Sequence, residues 1–266
     1  MKPDLIITGA AGRMGQRILA LAVEQKAFHL VGAVDYIDHP DLGKDVGTLA
    51  GLEPLNVELS SKFPDTADVM IDFSLPAATD DSIDYCRKNN VALVLGTTGL
   101  SVSQMEKLRL TAGKIAIMQA TNMSIGMNLL FAMVGKVAKS LGPGYDIEII
   151  EAHHRFKKDA PSGTALSLAE AVCSETGRNY PDCLMYGRHG NDTLRQEGTI
   201  GVHAVRGGDI VGQHSVIYST LGETVTISHN AHTRDTFAHG AIRAALWLTE
   251  QKPGLYNMLD VLGLKE

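Results

Sequence analysis

A strand, a glycine turn and a helix open the chain in the stretch Leu5-Ile6-Ile7-Thr8-Gly9-Ala10-Ala11-Gly12-Arg13-Met14-Gly15. Residues 5–7 form a short apolar run that is typical of a buried strand, and apolar residues recur at helical spacing from 18 to 22. Glycines in such a turn let the backbone approach a pyrophosphate, whose charge meets the N-terminus of the helix. This order of elements therefore predicts the first unit of a dinucleotide-binding sheet.

The spacing of these glycines departs from the usual G-x-G-x-x-G fingerprint. Ala11 stands where the second glycine would be, and Gly15 comes one residue late. A simple tight turn would explain the glycines alone. The strand predicted at His29–Val34 favours the cofactor hypothesis, because it ends at Asp35, about 20 residues past the turn, where an acid binds the cofactor ribose. We therefore expect a nicotinamide dinucleotide at this turn and at Asp35.

Strands and helices continue to alternate as far as residue 118. The predicted elements are strands at 69–74, 91–95 and 115–118 and helices at 80–87 and 103–111. The segment 38–59 is expected to be irregular, with a surface loop at 45–51. This alternation is typical of an α/β fold with a Rossmann-like, doubly wound parallel sheet, in which ligands bind at the carboxyl ends of the strands.

The hydrophobic pattern changes near residue 124, and a second domain is predicted at 125–233. A helix at 127–140 leads to 146–151, where polar and apolar residues alternate as in a strand with one buried face. The elements expected after it are a helix at 164–176, a turn-rich segment at 177–198, and antiparallel strands at 200–206, 214–220 and 225–228. They indicate a smaller α+β domain with an open mixed sheet, followed by a helix at 233–249.

The candidate site is a basic stretch, Glu151-Ala152-His153-His154-Arg155-Phe156-Lys157-Lys158-Asp159-Ala160-Pro161-Ser162-Gly163-Thr164-Ala165. Pro161 and Ser162 are helix-start signals, so the N-terminus of the next helix points back at the basic residues. Backbone N–H groups at a helix start, beside arginine and lysine, bind anions such as carboxylates. A solvated loop would explain a charge run alone, but the Pro-Ser-Gly-Thr sequence favours an anion site.

A dinucleotide turn combined with a basic stretch suggests hydride transfer to a small anionic substrate. Reduction of a conjugated double bond leaves negative charge on one atom, which then needs a proton donor. His153 and Lys157 are the available donors, and cationic neighbours at 155 and 158 would lower the pKa of Lys157. His154 could bind a carboxylate or pack structurally.

The composition bounds the class of protein. A formal net charge of -6 argues against nucleic acid as a partner, and 44% hydrophobic with 20% charged residues is ordinary for a soluble globular protein. Three cysteines, with no Cys-x-x-Cys pair, indicate reduced thiols and no metal site. Since no apolar run approaches membrane-spanning length, we expect a cytoplasmic protein without a membrane partner.

The basic stretch resembles the signature of the 4-hydroxy-tetrahydrodipicolinate reductase (dihydrodipicolinate reductase) family. Further likeness lies at 96–99 and in Val205-Arg206-x-Gly-Asp-Ile-Val-Gly, and the resemblance covers nearly the whole chain. It implies reduction of a cyclic dicarboxylate to tetrahydrodipicolinate with NADH or NADPH, in lysine and diaminopimelate biosynthesis. It also implies a homotetramer formed through the open sheet, and a dinucleotide-binding domain at 1–124 that is completed by 234–266.

The same resemblance implies roles for particular residues. The proton donors would be His153 and Lys157. The substrate contacts would be His154, Lys157, Ser162, Gly163 and Thr164. The cofactor contacts would be Gly9, Ala10, Ala11, Gly12, Arg13, Met14, Asp35, Gly96, Thr97, Thr98, Ala120, Thr121, Asn122 and Met123. Phe156 stands where some members of the family carry histidine, which we interpret as a change in packing.

Two classes of function compete at this point. One is the reductase, and the other is a non-catalytic dinucleotide-binding sensor or a related dehydrogenase with another small anionic substrate. Intact His153, Lys157 and Ser-Gly-Thr residues favour the reductase.

The cofactor preference is expected to follow from Asp35, which suits the ribose hydroxyls of NADH and repels a 2′-phosphate. NADPH-adapted members of the family carry arginine at positions that here are Tyr36 and Leu75. We therefore expect NADH to be accepted at least as well as NADPH, with Arg13 as the nearby cation that could still pair with the phosphate.

Overall fold

The structure is a computed structural model that describes residues 1–265. Its elements in chain order are β1 (Asp4–Thr8), α1 (Arg13–Glu24), β2 (His29–Val34), α2 (Val46–Leu49), β3 (Leu59–Ser60), β4 (Val69–Asp72), α3 (Pro76–Asn89), β5 (Ala92–Leu95), α4 (Val102–Ala112), β6 (Ala116–Gln119), α5 (Ile125–Leu141), β7 (Asp146–His153), α6 (Gly163–Thr176), β8 (Leu184–Tyr186), β9 (Ile200–Arg206), β10 (Gly212–Thr220), β11 (Glu223–Ala231), α7 (Asp235–Leu248), β12 (Gly254–Tyr256) and α8 (Met258–Leu262). The chain divides into two compact units, called unit 1 (Met1–Ile125 with the segment from Arg234 onward) and unit 2 (Gly126–Thr233).

Unit 1 is built on a parallel sheet of seven strands in the order β12-β6-β5-β4-β1-β2-β3. Continuous apolar strands such as β5 are buried on both faces, because α1 and α7 cover one face and α3 and α4 cover the other. The strand order reverses between β1 and β4, which brings the turns after these two strands to the place where such sheets bind ligands. The predicted Rossmann-like sheet is confirmed.

Short elements of unit 1 differ from the sequence-based expectation. The surface loop expected at 45–51 is wrong, because α2 lies there with Val46 buried, and its start is capped by Asp45, whose carboxylate accepts from the Thr48 N–H at 3.1 Å. After the final helix the chain adds β12, which pairs in parallel with β6. Elements of two to four residues are too short to show periodicity, which is why the sequence did not reveal them.

Unit 2 contains a mixed sheet in the order β11-β10-β7-β9-β8. β10 runs antiparallel to β7 and β11, but β9 pairs in parallel with both β7 and β8, so the expectation that all three late strands are antiparallel is wrong for β9. The reason is the crossover through α6, which returns the chain to the same end of the sheet and makes β9 parallel to β7. β8 lies within the segment expected to consist of turns.

The alternation of side chains along β7 positions the candidate site. Ile147 and Ile149 point into the apolar core of unit 2, together with residues of α6 such as Leu168. Glu151 and His153 continue on this inward face, whereas Ile150 points outward and is 38% exposed. A carboxylate and an imidazole therefore lie at the end of a core strand, beside the start of α6.

Candidate active site

Glu151 is the centre of a buried polar cluster in unit 2. Its side chain is fully buried, and its two oxygens accept from Arg206 at 2.7 and 2.8 Å, from His153 Nδ1 at 2.6 Å and from the Ser162 N–H at 3.0 Å. Burial alone would raise the pKa of Glu151, but the hydrogen bonds from Arg206, His153 and Ser162 hold it below its ordinary value. Glu151 is therefore an ionised carboxylate whose charge is balanced by Arg206.

His153 is the inward-facing histidine of the basic stretch. Burial lowers its pKa, and the nearby charges of Lys157 and Arg206 act in the same direction, against the raising effect of Glu151. Its Nε2 lies beside Gly212, where an added Cβ would come to 3.2 Å from that nitrogen. The absence of a side chain at position 212 therefore leaves room next to Nε2.

The start of α6 is held by Ser162, which is buried. Its Oγ accepts from the Ala165 N–H at 3.2 Å, as an N-cap does, and lies 3.2 Å from Nε2 of His214. Burial lowers the pKa of His214 to about 4, so this second histidine is neutral near pH 7. Gly163 and Thr164 are the first two residues of α6, at the positive end of the helix dipole.

The Lys157 side chain forms an ion pair with an acidic residue of its own loop, which the sequence analysis did not predict. Its Nζ lies 2.9 Å from the carboxylate of Asp159, while Arg155 and Lys158 are exposed to solvent. Arg206 donates to the backbone carbonyl of Asp159 at 2.6 Å, which joins the lysine end of the loop to the Glu151 cluster. The structure thus brings Lys157, His153 and Ser162 into one connected network.

His154 and Phe156 lie at the edge of this network. His154 is half-buried, and its Nδ1 is buried without a hydrogen-bond partner among residues 1–265. The ring of Phe156 is centred 6.3 Å from that of His154 and is 79% exposed. The interpretation of Phe156 as a packing change is therefore not supported within unit 2, since this side chain fills no core.

The glycine turn of unit 1 has the geometry of a phosphate cradle. Gly9 has a φ of +67°, and a Cβ there would come to 2.6 Å from the Phe73 carbonyl oxygen. A Cβ on Gly15 would lie 2.1 Å from the Gly9 oxygen, so the glycine that comes one residue late is the one that permits close packing of α1 on the turn. Gly12 and Arg13 are exposed, and these residues fit a bound dinucleotide.

Asp35 is fixed against this turn. One carboxylate oxygen accepts from the Ala11 N–H at 3.0 Å and the other from the Tyr36 N–H at 3.0 Å. The acid at the end of β2 and the turn after β1 are therefore held together, as a ribose and a pyrophosphate of one cofactor would require.

The loop after β5 is organised by a buried carboxylate, Asp72, at the end of β4. Its Oδ1 accepts from the Ser74 N–H at 2.8 Å, the Ser74 hydroxyl at 2.6 Å and the Thr97 hydroxyl at 3.0 Å. A Cβ on Gly96 would come to 2.4 Å from the Phe73 ring, so this glycine is required for packing. Thr98 is exposed, whereas Thr97 is buried and faces inward to Asp72.

The segment Ala120–Met123 follows β6 in the same sheet. The Ala120 N–H donates to the Leu95 carbonyl at 3.2 Å, and Met123 is buried. Gly240 of α7 approaches so closely that a Cβ would lie 1.7 Å from the Met123 oxygen. Thr121 is exposed, and the half-buried Asn122 accepts at Oδ1 from the Ser124 N–H at 2.9 Å.

Sequence reasoning gave no role to several residues of these clusters. The predicted donors are surrounded by Glu151, Arg206, His214, Gly212 and Asp159, and Asp72 orders the loops after β4 and β5. Strand alternation was a signal for two of them, because Glu151 shares the inward face of β7 with Ile149, and His214 that of β10 with Val216. The Arg206–Glu151 pairing spans 55 residues and has no local sequence signal.

Residues 1–265 contain no group of three or more histidine, cysteine, aspartate or glutamate side chains that could hold a metal ion. Within the same residues, none of the helices has the length and apolarity needed to cross a membrane.

A Rossmann-like sheet with a glycine turn, together with a buried histidine beside lysine and arginine, defines an NAD(P)H-dependent oxidoreductase. The family models for the N-terminus and the C-terminus of dihydrodipicolinate reductase match residues 4–123 and 126–262. The chain belongs to the dihydrodipicolinate reductase family.

Individual relatives agree with this assignment. The 4-hydroxy-tetrahydrodipicolinate reductase of Burkholderia lata is 46% identical over 264 residues, which covers 98% of this chain and 99% of the relative. The enzyme of the same name from Chromobacterium violaceum is 44% identical over 268 residues and covers 100% of both chains. The solved structure of dipicolinate-bound dihydrodipicolinate reductase from Paenisporosarcina sp. TG-14 has a TM-score of 0.78 at 25% identity and covers 98% and 99% of the two chains.

Proposed function

We propose that this protein reduces 4-hydroxy-tetrahydrodipicolinate to tetrahydrodipicolinate with NADH or NADPH, in lysine and diaminopimelate biosynthesis. The observation that carries the proposal is the network in which Glu151 joins His153 to the N-terminus of α6, with Lys157 at its edge. Two full-length relatives carry the name of this reductase, and a solved member of the family is described as bound to the dicarboxylate dipicolinate.

Unit 1 supplies the cofactor-binding residues in this proposal, and unit 2 the substrate-binding residues. The turn Gly9–Met14 and Asp35 would hold the pyrophosphate and ribose, and Gly96–Thr98 with Ala120–Met123 would hold the nicotinamide end. The bound nicotinamide supplies the hydride. The chain itself orients the two reactants and provides the proton.

The dicarboxylate would be held by charge and by directed N–H groups. The first turn of α6, with Ser162, Gly163 and Thr164, would bind one carboxylate, and His154 with Lys157 would contact the other. Negative charge that develops on the substrate away from the carbon receiving the hydride would be neutralised by a proton from His153 Nε2 or Lys157 Nζ. The buried Nδ1 of His154 supports a role in binding, since a buried polar nitrogen is costly without a partner.

Three further properties belong to the proposal as the family expectation. The protein would form a homotetramer through the open face of the unit 2 sheet, it would act in the cytoplasm, and it would use NADH at least as well as NADPH. Asp35 supports the last point, because its carboxylate is held by the backbone N–H groups of Ala11 in the turn and of Tyr36, and a 2′-phosphate close to it would be repelled.

The proposal is tested by a coupled assay in which the substrate is generated enzymatically and the absorbance of the reduced cofactor is followed. Replacing Lys157 with Ala should lower kcat/KM by an amount that corresponds to ~3–5 kcal/mol of lost transition-state stabilisation, because a proton donor and a carboxylate contact are both lost. Lys158→Ala is the matched control, since this neighbouring lysine is exposed, and it should remain close to wild type.

The outcomes separate the competing functions. Cofactor oxidation by wild type that collapses in Lys157→Ala supports the reductase. A wild-type protein that binds NADH in calorimetry but does not oxidise it with this substrate contradicts the proposal and supports the non-catalytic sensor. Equal kcat/KM for both lysine variants would remove Lys157 from the mechanism.

A further inference from the structure

We propose that Glu151 is a positioning residue that keeps a proton on Nδ1 of His153 and ties this histidine to Ser162, the N-cap residue of α6. Its consequence for turnover rests on the proposed function. The cluster itself, formed by Glu151, Arg206, His153 and Ser162, is a property of unit 2 alone.

The hydrogen bonds of Glu151 determine which nitrogen of His153 carries the proton. Arg206 and the Ser162 N–H are obligate donors, and Arg206 contacts both carboxylate oxygens. An ionised carboxylate can only accept, so the 2.6 Å contact with His153 requires the proton to be on Nδ1. The neutral imidazole then has its lone pair on Nε2, which is where a proton is exchanged.

Nε2 is also the nitrogen with space beside it. It faces Gly212, whose backbone lies close enough that a Cβ would come to 3.2 Å. The ring of His214 packs edge-on against that of His153, with centroids 5.1 Å apart, which limits rotation of the donor ring. Glu151 and His214 together leave Nε2 as the nitrogen available to a ligand.

The second function of Glu151 is mechanical. Its Oε1 accepts from the Ser162 N–H, and Ser162 caps α6, so the same carboxylate holds both the donor histidine and the anion-binding helix start. Arg206 anchors this carboxylate to β9 and to the Asp159 carbonyl. Displacement of Glu151 would therefore move the proton donor and the carboxylate-binding N–H groups apart.

The charges around His153 make the effect of Glu151 measurable. Five groups surround the His153 ring: Glu151 of β7, Arg206 of β9, the neutral His214 of β10, Lys157 of the loop, and Ser162 at the N-cap of α6. Glu151 is the negative group among these five. Without it the remaining charges are positive, so protonated His153 would exist only at lower pH.

The decisive variant is Glu151→Gln, with Glu148→Gln as its control. Glu148 lies on the outward face of the same strand and pairs with Arg188, Arg195 and His203, so its replacement removes a comparable ion pair away from His153. In Glu151→Gln we expect kcat/KM at pH 7 to fall about 100-fold, as for a misplaced donor, and the alkaline fall of the kcat/KM–pH profile to move to lower pH. Glu148→Gln should leave the pH at which activity falls unchanged.

A second measurement does not depend on a variant. Neutron diffraction from deuterium-exchanged wild-type crystals at pH 7 should show deuterium on Nδ1 of His153, directed at Glu151. Deuterium on Nε2 and not on Nδ1 would overturn the proposal, and so would an active Glu151→Gln protein whose pH profile is unshifted. If wild type shows no turnover with the dicarboxylate, the proposed reaction fails, and the position of the deuterium still decides the role of Glu151.

Discussion

Each unit has a fully buried carboxylate near the carboxyl end of a strand, and the two carboxylates have different hydrogen-bond partners. Glu151 in unit 2 accepts from both terminal nitrogens of the Arg206 guanidinium, from the imidazole of His153 and from the Ser162 N–H. Asp72 in unit 1 receives only neutral donors, from Ser74 and Thr97, all on Oδ1, and its Oδ2 has no hydrogen-bond partner among residues 1–265.

The difference shows what each carboxylate is suited to do. A buried charge is costly unless it is paired, so Glu151 with Arg206 forms a fixed ion pair that can orient a proton donor within a basic cluster. Within residues 1–265, Asp72 forms no ion pair, and its hydrogen bonds order the two loops that follow β4 and β5. The buried ion pair thus lies in unit 2, where an anionic substrate is proposed to bind, and neutral donors of Ser74 and Thr97 order the unit 1 loops proposed to hold the cofactor.

Breaking the ion pair of unit 2 should give the largest effect. Arg206→Ala leaves Glu151 buried without its balancing charge, and we expect the free energy of unfolding to fall by ~3–5 kcal/mol. Arg188→Ala is the control, because Glu148 retains Arg195 and His203 and is partly exposed, so the loss should stay near ~1 kcal/mol. Urea unfolding monitored by circular dichroism measures both, and equal losses would contradict the distinction.

Acid should also destabilise the cluster of unit 2. Burial lowers the pKa of His214 from 6.5 to about 4, so between these values the unfolded chain binds a proton that the native state does not. Stability should therefore fall as pH is lowered through this window, by on the order of 3 kcal/mol if the whole shift is realised. The pKa of Glu151 is held below its ordinary value of 4.5, so its contribution is present above that value and is lost only at still lower pH.

Urea unfolding at pH 7, 6 and 5 tests this expectation. His214→Gln removes the titrating group and should flatten the dependence, whereas wild type should lose stability at each step. Hydrogen exchange read separately for the β10 and β5 amides should show greater acid sensitivity in β10. A His214→Gln protein with the wild-type pH dependence would assign the effect to other groups.

The two clusters also differ in how far the sequence reveals them. The parallel sheet of unit 1 was predictable because its central strands are continuous apolar runs, and His153 and Lys157 lie within one contiguous signature. The pairing of Glu151 with Arg206 depends on β9 lying parallel to β7, a long-range register that no local pattern encodes. Asp72 likewise meets Thr97 only because β4 and β5 are neighbours in the sheet.

Changing Asp72 should have a smaller effect that differs in kind. Asp72→Asn retains Oδ1 as acceptor but puts an amide N–H₂ in place of the fully buried Oδ2, and a buried donor left unsatisfied there should cost ~1–3 kcal/mol of stability. Because Asp72 has no cationic partner within residues 1–265, this loss should be insensitive to salt. Ser74→Ala removes one of the donors and should cost ~0.5–1.5 kcal/mol. A salt-dependent loss in Asp72→Asn would show that its charge is paired.

The smallest effect concerns a third carboxylate, Asp35, which extends the comparison because its observed partners are again neutral, the N–H groups of Ala11 and Tyr36. Tyr36 and Leu75, at the positions where NADPH-adapted relatives are expected to carry arginine, are 58% and 72% exposed and carry no positive charge that could form an ion pair with a phosphate. Arg13 in the turn is exposed and could do so. We therefore expect kcat/KM for NADH to equal or exceed that for NADPH, and Tyr36→Arg to raise the NADPH value about tenfold, or ~1.4 kcal/mol. Initial rates with each cofactor at saturating substrate and physiological ionic strength measure the ratio, and Leu75→Met serves as an uncharged control.

A wild-type preference for NADPH of more than about tenfold would contradict the expectation. Loss of that preference in Arg13→Ala would then identify Arg13 as the phosphate partner, beside an Asp35 carboxylate that is held by backbone N–H groups.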